Sequence, residues 1–226
     1  METKKMNSRS NRRFLSAFQL PLTIILLIMV FSHPFPVAAT DDPVRLKMRS
    51  GFERSYALEK EKRYTEAMNA LQMLNMPNDY AVNLRLGWLA HHAAQYAQAI
   101  TYYRTSQRLN PKATEPLWGL LLPLNAQENW AEAEKVYVSI LALDPKNSSA
   151  NYHLGLIYYY REDYAQAKKF LDVSLELAPF DYYSMLMSAW TRLFLGQTEE
   201  AAQLFDRVLL NTPDDASAKE GLARIR

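Results

Sequence analysis

The chain has 226 residues, 49% of them apolar, with no cysteine and a formal net charge of +2. That is enough apolar material for the core of one domain or for an extended array of small units, so disorder is not expected. The lack of cysteine rules out a disulfide framework, a thiolate metal site and a lipid-modified N-terminal cysteine.

Residues 1–39 read as a segment apart from the fold. Lys4, Lys5, Arg9, Arg12 and Arg13 precede the apolar run "LPLTIILLIMVF" at 20–31, and the small residues Val37, Ala38 and Ala39 follow. That order is the order of a secretory signal peptide, with cleavage after Ala39. The run is shorter than the roughly 20 apolar residues of a spanning helix, although residues 14–31 together come close. Two readings therefore stand: a cleaved signal peptide, and a membrane anchor retained through residues 14–31. Both put residues 40–226 in the periplasm or another extracytoplasmic compartment, the second tied to the inner membrane. The segment takes with it five of the 26 basic residues and one of the 24 acidic ones, leaving 21 against 23, a net of −2. What remains lacks the basic excess of a nucleic-acid binder.

Asp42 before Pro43 predicts a helix cap with proline in the first turn, and Val44, Met48, Phe52 and Tyr56 then recur every fourth residue. "RYTEAMNALQMLNMP" at 63–77 supplies a second helix. From there a constant interval of 34 residues takes over. Pro111, Pro145, Pro179 and Pro213 share it, as do Ala99, Ala133, Ala167 and Ala201, and the aromatics Tyr96, Trp130 and Tyr164. Gly87 and Gly155 lie two intervals apart. Each proline ends a helix and opens a turn, because it lacks an amide donor and restricts the residue before it. Each alanine is small where two helices must cross closely, and Gly87 or Gly155 does the same on the facing helix. A larger residue there would overpack at roughly 1–3 kcal/mol. Pro123 falls inside a predicted first helix, "LWGLLLPLNAQ", where it removes a hydrogen bond and meets the Gly119 carbonyl, so a bend is expected there, eased by Gly119. The last stretch, "DDASAKEGLARIR" at 214–226, is a thin amphipathic helix suited to capping a stack.

A repeat of this length, with W-x2-L-G-x2-Y followed by A-x3-F and P, resembles the tetratricopeptide repeat family. "NYHLGLIYYYREDYAQAKKFLDVSLELAP" at 151–179 places Leu154, Gly155, Tyr158, Ala167, Leu171 and Pro179 in those columns. The resemblance implies an all-α fold, a right-handed superhelical solenoid of stacked antiparallel helix pairs. It divides residues 40–226 into a degenerate repeat at 44–79, full repeats at 80–113, 114–147, 148–181 and 182–215, and a capping helix at 216–226. It also implies that the first helices line a concave face and that the class of function is protein binding.

The columns expected on that face are Leu84, Arg85, Trp88, His91 and His92 in one repeat and Trp118, Leu122 and Asn125 in the next. Tyr152, His153, Leu156, Tyr159 and Tyr160 follow, and then Tyr183, Leu186, Met187, Trp190, Leu193 and Phe194. Tyr158 belongs to the core stripe with Leu154 and Gly155. Three of the four tryptophans fall in these columns, and rigid amphipathic rings with few charges have the composition of an interface. Such a face takes an extended or helical, apolar or amphipathic segment of a partner protein. It can instead be filled by the chain's own capping helix or pair with a second copy in a homo-oligomer. The carboxylate clamp known in the family is not reproduced, since its columns hold Leu84, Trp88, Gly119, Ser149 and His153.

No catalytic or metal chemistry is expected. His91 and His92 are adjacent and cannot share a helix face, and His153 lies two repeats away. There is no Gly-rich phosphate loop, H-E-x-x-H or G-x-S-x-G, so no cofactor is implied. "KNSS" at 146–149 contains an N-glycosylation sequon. The reading is a noncatalytic exported adaptor or scaffold of the cell envelope, or alternatively a membrane-anchored structural component that self-associates.

Overall fold

A computed structural model describes residues 42–225, all within one compact unit, Asp41–Arg226. The signal-peptide and anchor readings lie outside the described residues. Among these there are eleven helices and no strand: α1 (Pro43–Lys60), α2 (Tyr64–Gln72), α3 (Tyr80–His92), α4 (Tyr96–Leu109), α5 (Glu115–Ala126), α6 (Trp130–Leu143), α7 (Ser148–Tyr160), α8 (Tyr164–Leu177), α9 (Tyr182–Phe194), α10 (Thr198–Asn211) and α11 (Ala216–Ile225). Each helix packs on the next, so five helical hairpins stack into a solenoid that α11 closes. First helices also meet directly between α3 and α5, α7 and α9, and α9 and α11; between α1 and α3 and between α5 and α7 backbone contact is at most marginal.

Local chemistry starts and stops these helices at a fixed interval. Asp79, Asn147, Asp181 and Asp215 cap first helices by accepting hydrogen bonds from the backbone N–H groups of Val82, Ala150, Ser184 and Ala218, which satisfies otherwise orphaned donors. Asn147, the sequon residue, is occupied in this way and also donates to Asp144. Inside each of the four full hairpins the chain turns through one left-handed residue: Ala94, Glu128, Glu162 and Gly196. Asn83 and Asn151, both buried, tie first helices to the preceding turns by donating to the carbonyls of Pro77 and Pro145.

The core follows from three columns of side chains. Ala99, Ala133, Ala167 and Ala201 are fully buried where second helices cross first helices. Four positions along, Tyr103, Tyr137, Leu171 and Phe205 project a large group toward two first helices, their own and the next. A Cβ built at Gly87 would stand 2.9 Å from the Tyr103 ring, and one at Gly155 would stand 2.6 Å from Leu171. On the far side, a Cβ at Gly119 would come within 2.2 Å of Tyr103, and one at Gly221 within 2.2 Å of Phe205. Gly119 is thus required by the approach of α5 to Tyr103, a role beyond the expected easing of Pro123. Helix α5 runs on through Pro123, which is fully buried.

Candidate functional site

The expected face is mostly exposed or half-buried, with two exceptions. Arg85 is 9% exposed: it bonds to Ser55, pairs with Glu59 at 2.5 Å and lies over the Tyr56 ring, tying α3 to α1. Trp190 is 8% exposed, because α11 folds over it. Its indole N–H donates to Ser217, its ring packs edge-on against Phe205, and the Arg224 guanidinium covers it. Both are structural residues held by the chain itself, so they leave the candidate site. A buried guanidinium persists only with a carboxylate beside it, and an indole edge only with an acceptor, and both conditions are met intramolecularly.

The other columns form three aromatic groups. On α3, Trp88 and His92 lie 4.0 Å apart, Tyr64 approaches His92, and His91 contacts Tyr96. The Trp88 indole donates to Glu59. Burial would raise the Glu59 carboxyl, but the hydrogen bonds from Arg85 and Trp88 and the Arg85 charge outweigh it and hold the group below the ordinary carboxylate value. Leu84 is half-buried beside this group.

A second group crosses three first helices. Trp118 on α5 meets Tyr137, Tyr137 stacks on His153 of α7, His153 meets Tyr152, and Tyr152 reaches Tyr183 on α9, with ring centroids between 5.1 and 6.4 Å apart. Leu122, Leu156, Leu186 and Met187 are half-buried and Asn125 is exposed. Burial pushes the Tyr152 phenol up to about 12, with the nearby Asp181 charge adding to it.

The three consecutive tyrosines divide as their helical angles require. Tyr158 stacks on Phe170 and donates to Glu134. Tyr159 lies among Tyr160, Tyr164 and Phe194, a third group that Trp190 joins from beneath and Leu193 flanks. Tyr160 is 76% exposed.

Between the end of α5, α6 and α7 there is a cavity of about 560 Å³. Exposed Trp130 and Tyr160 stand at its mouth with Asn125 and Arg161, and Leu156 and Ile157 form one wall. Buried Tyr137 and half-buried His153 close the floor, their rings 5.1 Å apart and nearly parallel. Arg161 is held by Glu134 at 2.6 Å. Burial pushes the His153 imidazole below its ordinary value and the Tyr137 phenol above its own.

Of the cavity's lining, Asn125, His153, Leu156 and Tyr160 were in the expected columns, whereas Trp130, Tyr137, Ile157 and Arg161 were not. The missed signal lies in the column facing each second helix, which reads Gly119, His153, Met187, Gly221. Where glycine lets α5 close on Tyr103, the His153 imidazole occupies the matching position on α7 and stacks on Tyr137. No group of three or more metal-capable His, Asp or Glu side chains occurs among the described residues.

Models of the tetratricopeptide repeat match residues 80–112, 124–190 and 186–226. The fold is similar to that of a tetratricopeptide repeat protein from Parabacteroides merdae ATCC 43184, at 21% identity over 80% of this chain and 72% of that one, with a TM-score of 0.67. MamA from Desulfovibrio magneticus RS-1 is 19% identical over 75% of this chain and 98% of its own, with a TM-score of 0.62. YrrB, described as a TPR protein with an unusual peptide-binding site, is 14% identical over 75% of this chain and 89% of its own, with a TM-score of 0.60. At these identities the likeness is one of fold. No curated protein matches the chain.

Proposed function

We propose that this chain, built of tetratricopeptide repeats, is a noncatalytic scaffold that holds a segment of a partner protein against its first helices. The observation that carries this reading is the band of aromatic contacts running from Trp118 through Tyr137, His153 and Tyr152 to Tyr183, continuous across α5, α7 and α9. Tyr183 and Tyr160 are 62% and 76% exposed, an arrangement that large aromatic groups adopt at a cost unless something binds them. The peptide-binding site named for YrrB supports the same class of role. Substituting Trp118, Tyr160 and Tyr183 together by alanine is expected to abolish cross-linking to the partner while helicity and melting temperature stay close to wild type. Unchanged cross-linking in that variant overturns the reading.

The N-terminal segment supports export, with the scaffold working in the cell envelope. A basic start, an apolar run and Val37, Ala38 and Ala39 in succession are what a signal peptidase substrate contains. Sequencing the protein purified from its host is expected to start at Thr40. An intact Met1 and a need for detergent instead favour the second reading, a self-associating component anchored through residues 14–31.

A further inference from the structure

The α6–α7 cavity differs in origin from an ordinary packing defect. At the equivalent join, Tyr103 has glycine on both sides, and at the last one Phe205 has Ala189 and Gly221. Tyr137 has Leu121 in one column and His153 in the other, and at this join α5 and α7 scarcely touch. At the Leu171 join one of the two positions is small, Gly155, and the other is Met187; only Tyr137 has a bulky residue on both sides, beside about 560 Å³ open to solvent. That is within the range of sites that enclose small organic groups, roughly 300–1,000 Å³.

We propose that this cavity is a socket for one aromatic side chain with a hydrogen-bonding tip, tyrosine or tryptophan, carried by the partner segment. The inference rests on the scaffold reading above and adds the chemistry of its anchor. From Trp130 to Tyr137 the lining follows α6 for about 10 Å at a rise of ~1.5 Å per residue, long enough to admit an aromatic side chain. Trp130 and Tyr160 at the mouth and the Tyr137–His153 pair at the floor offer ring faces and edges on several sides, which suit a planar group in offset or edge-on contact. The polar tip is called for by His153. It lines the cavity beside Tyr137, and burial disfavours its charged form, so an entering hydroxyl or indole N–H can bond to an imidazole nitrogen where an aliphatic group cannot. An acidic ligand fits less well, because the one guanidinium at the mouth, Arg161, is already held by Glu134.

The test uses the full chain and the side-chain analogues p-cresol, 3-methylindole, toluene and cyclohexylmethanol, followed by the NMR shifts of the Trp130 indole and the His153 ring. p-Cresol and 3-methylindole are expected to bind with dissociation constants on the order of millimolar, p-cresol about tenfold more tightly than toluene, and cyclohexylmethanol more weakly than either aromatic alcohol or indole. Ile157→Trp, which places a ring against the Tyr137–His153 floor, is expected to weaken p-cresol binding about tenfold. His153→Phe, which keeps the bulk, is expected to retain toluene and lose the preference for p-cresol, so the idea stays testable if Ile157→Trp fails to fold. Toluene binding as well as p-cresol, or p-cresol affinity undiminished in a folded Ile157→Trp variant, overturns the proposal. If the probes fail to bind while Trp118 and Tyr183 still support cross-linking, the socket is lost and the scaffold stands. Probe binding in a chain that cross-links to nothing overturns the occupant and assigns the socket to a free aromatic molecule.

Discussion

Ala94, Glu128, Glu162 and Gly196 have φ of 57°, 54°, 60° and 74°, and only the last is the residue that such a turn favours. An L-residue held there costs roughly 1 kcal/mol that glycine avoids. Glu128→Gly and Glu162→Gly are each expected to raise stability by about 0.5 kcal/mol, the gain being reduced by the extra freedom of glycine in the unfolded chain. Gly196→Ala is expected to lower it by about 1 kcal/mol, and through the backbone alone, because nothing lies within 4 Å of the added methyl. Urea midpoints of the three variants check the signs. His153 makes a second prediction at this scale. Its imidazole is half-buried, facing Tyr137 and Tyr152, and burial lowers its pKa, so between that depressed value and the ordinary 6.5 the unfolded chain binds more protons than the folded one. Stability is therefore full above about pH 6.5, falls as pH drops through that window and levels off below it. His91, lowered by burial and by the neighbouring His92 charge, adds to the same slope. Melting temperature measured across this range is expected to fall less steeply in His153→Phe than in wild type; equal slopes would assign the effect to His91 alone.

At the scale of elements, the join between hairpins is set by what faces the large residue of each second helix. Gly119→Ala forces a methyl against the Tyr103 ring and is expected to cost about 1–3 kcal/mol; adding Tyr103→Leu should recover part of that, a non-additivity a double-mutant cycle reads directly. This logic also explains which features were legible beforehand. The helix pairs could be read because proline and alanine recur at a fixed interval and act locally, through missing donors and close crossings. Gly87 and Gly155 were legible for the same reason. The demand that Tyr103 places on Gly119 is not legible within α5, because Tyr103 lies on the preceding helix. Trp190 and Arg85 occupy the same kind of column as Trp118 and His153, and nothing within their own helices distinguishes them. What buries them comes from elsewhere: Ser217 and Arg224 on the capping helix, Glu59 and Ser55 on α1. The cavity escaped notice because it depends on a mismatch between two repeats, His153 where Gly119 stands one interval earlier, and periodicity directs attention to agreement.

The whole array has unlike ends, and this determines how it should come apart. At one end of the described residues, the first turn of α1 leaves Val44 and Leu46 exposed, and Lys47 donates to the Leu74 carbonyl. At the other, α11 seals the stack: Gly221 sits on Phe205, Ala218 is fully buried, Trp190 donates to Ser217 and Tyr182 donates to Asp215. In a stacked array each unit draws stability from its neighbours alone, so loss of a cap weakens the adjacent hairpin first. Removing residues 216–226 bares Phe205 and Trp190, a loss of roughly 3 kcal/mol in buried apolar surface, all of it borne by α9 and α10. Hydrogen exchange is expected to show α9 and α10 losing protection in the truncated chain while α3 and α4 keep theirs, and Trp190 emission should shift to the red before the far end melts. The α6–α7 join, where first helices barely meet, is where that loss should stop. Protection that drops evenly from α3 to α10 would mean that coupling passes through the join undiminished and that the array unfolds as one unit.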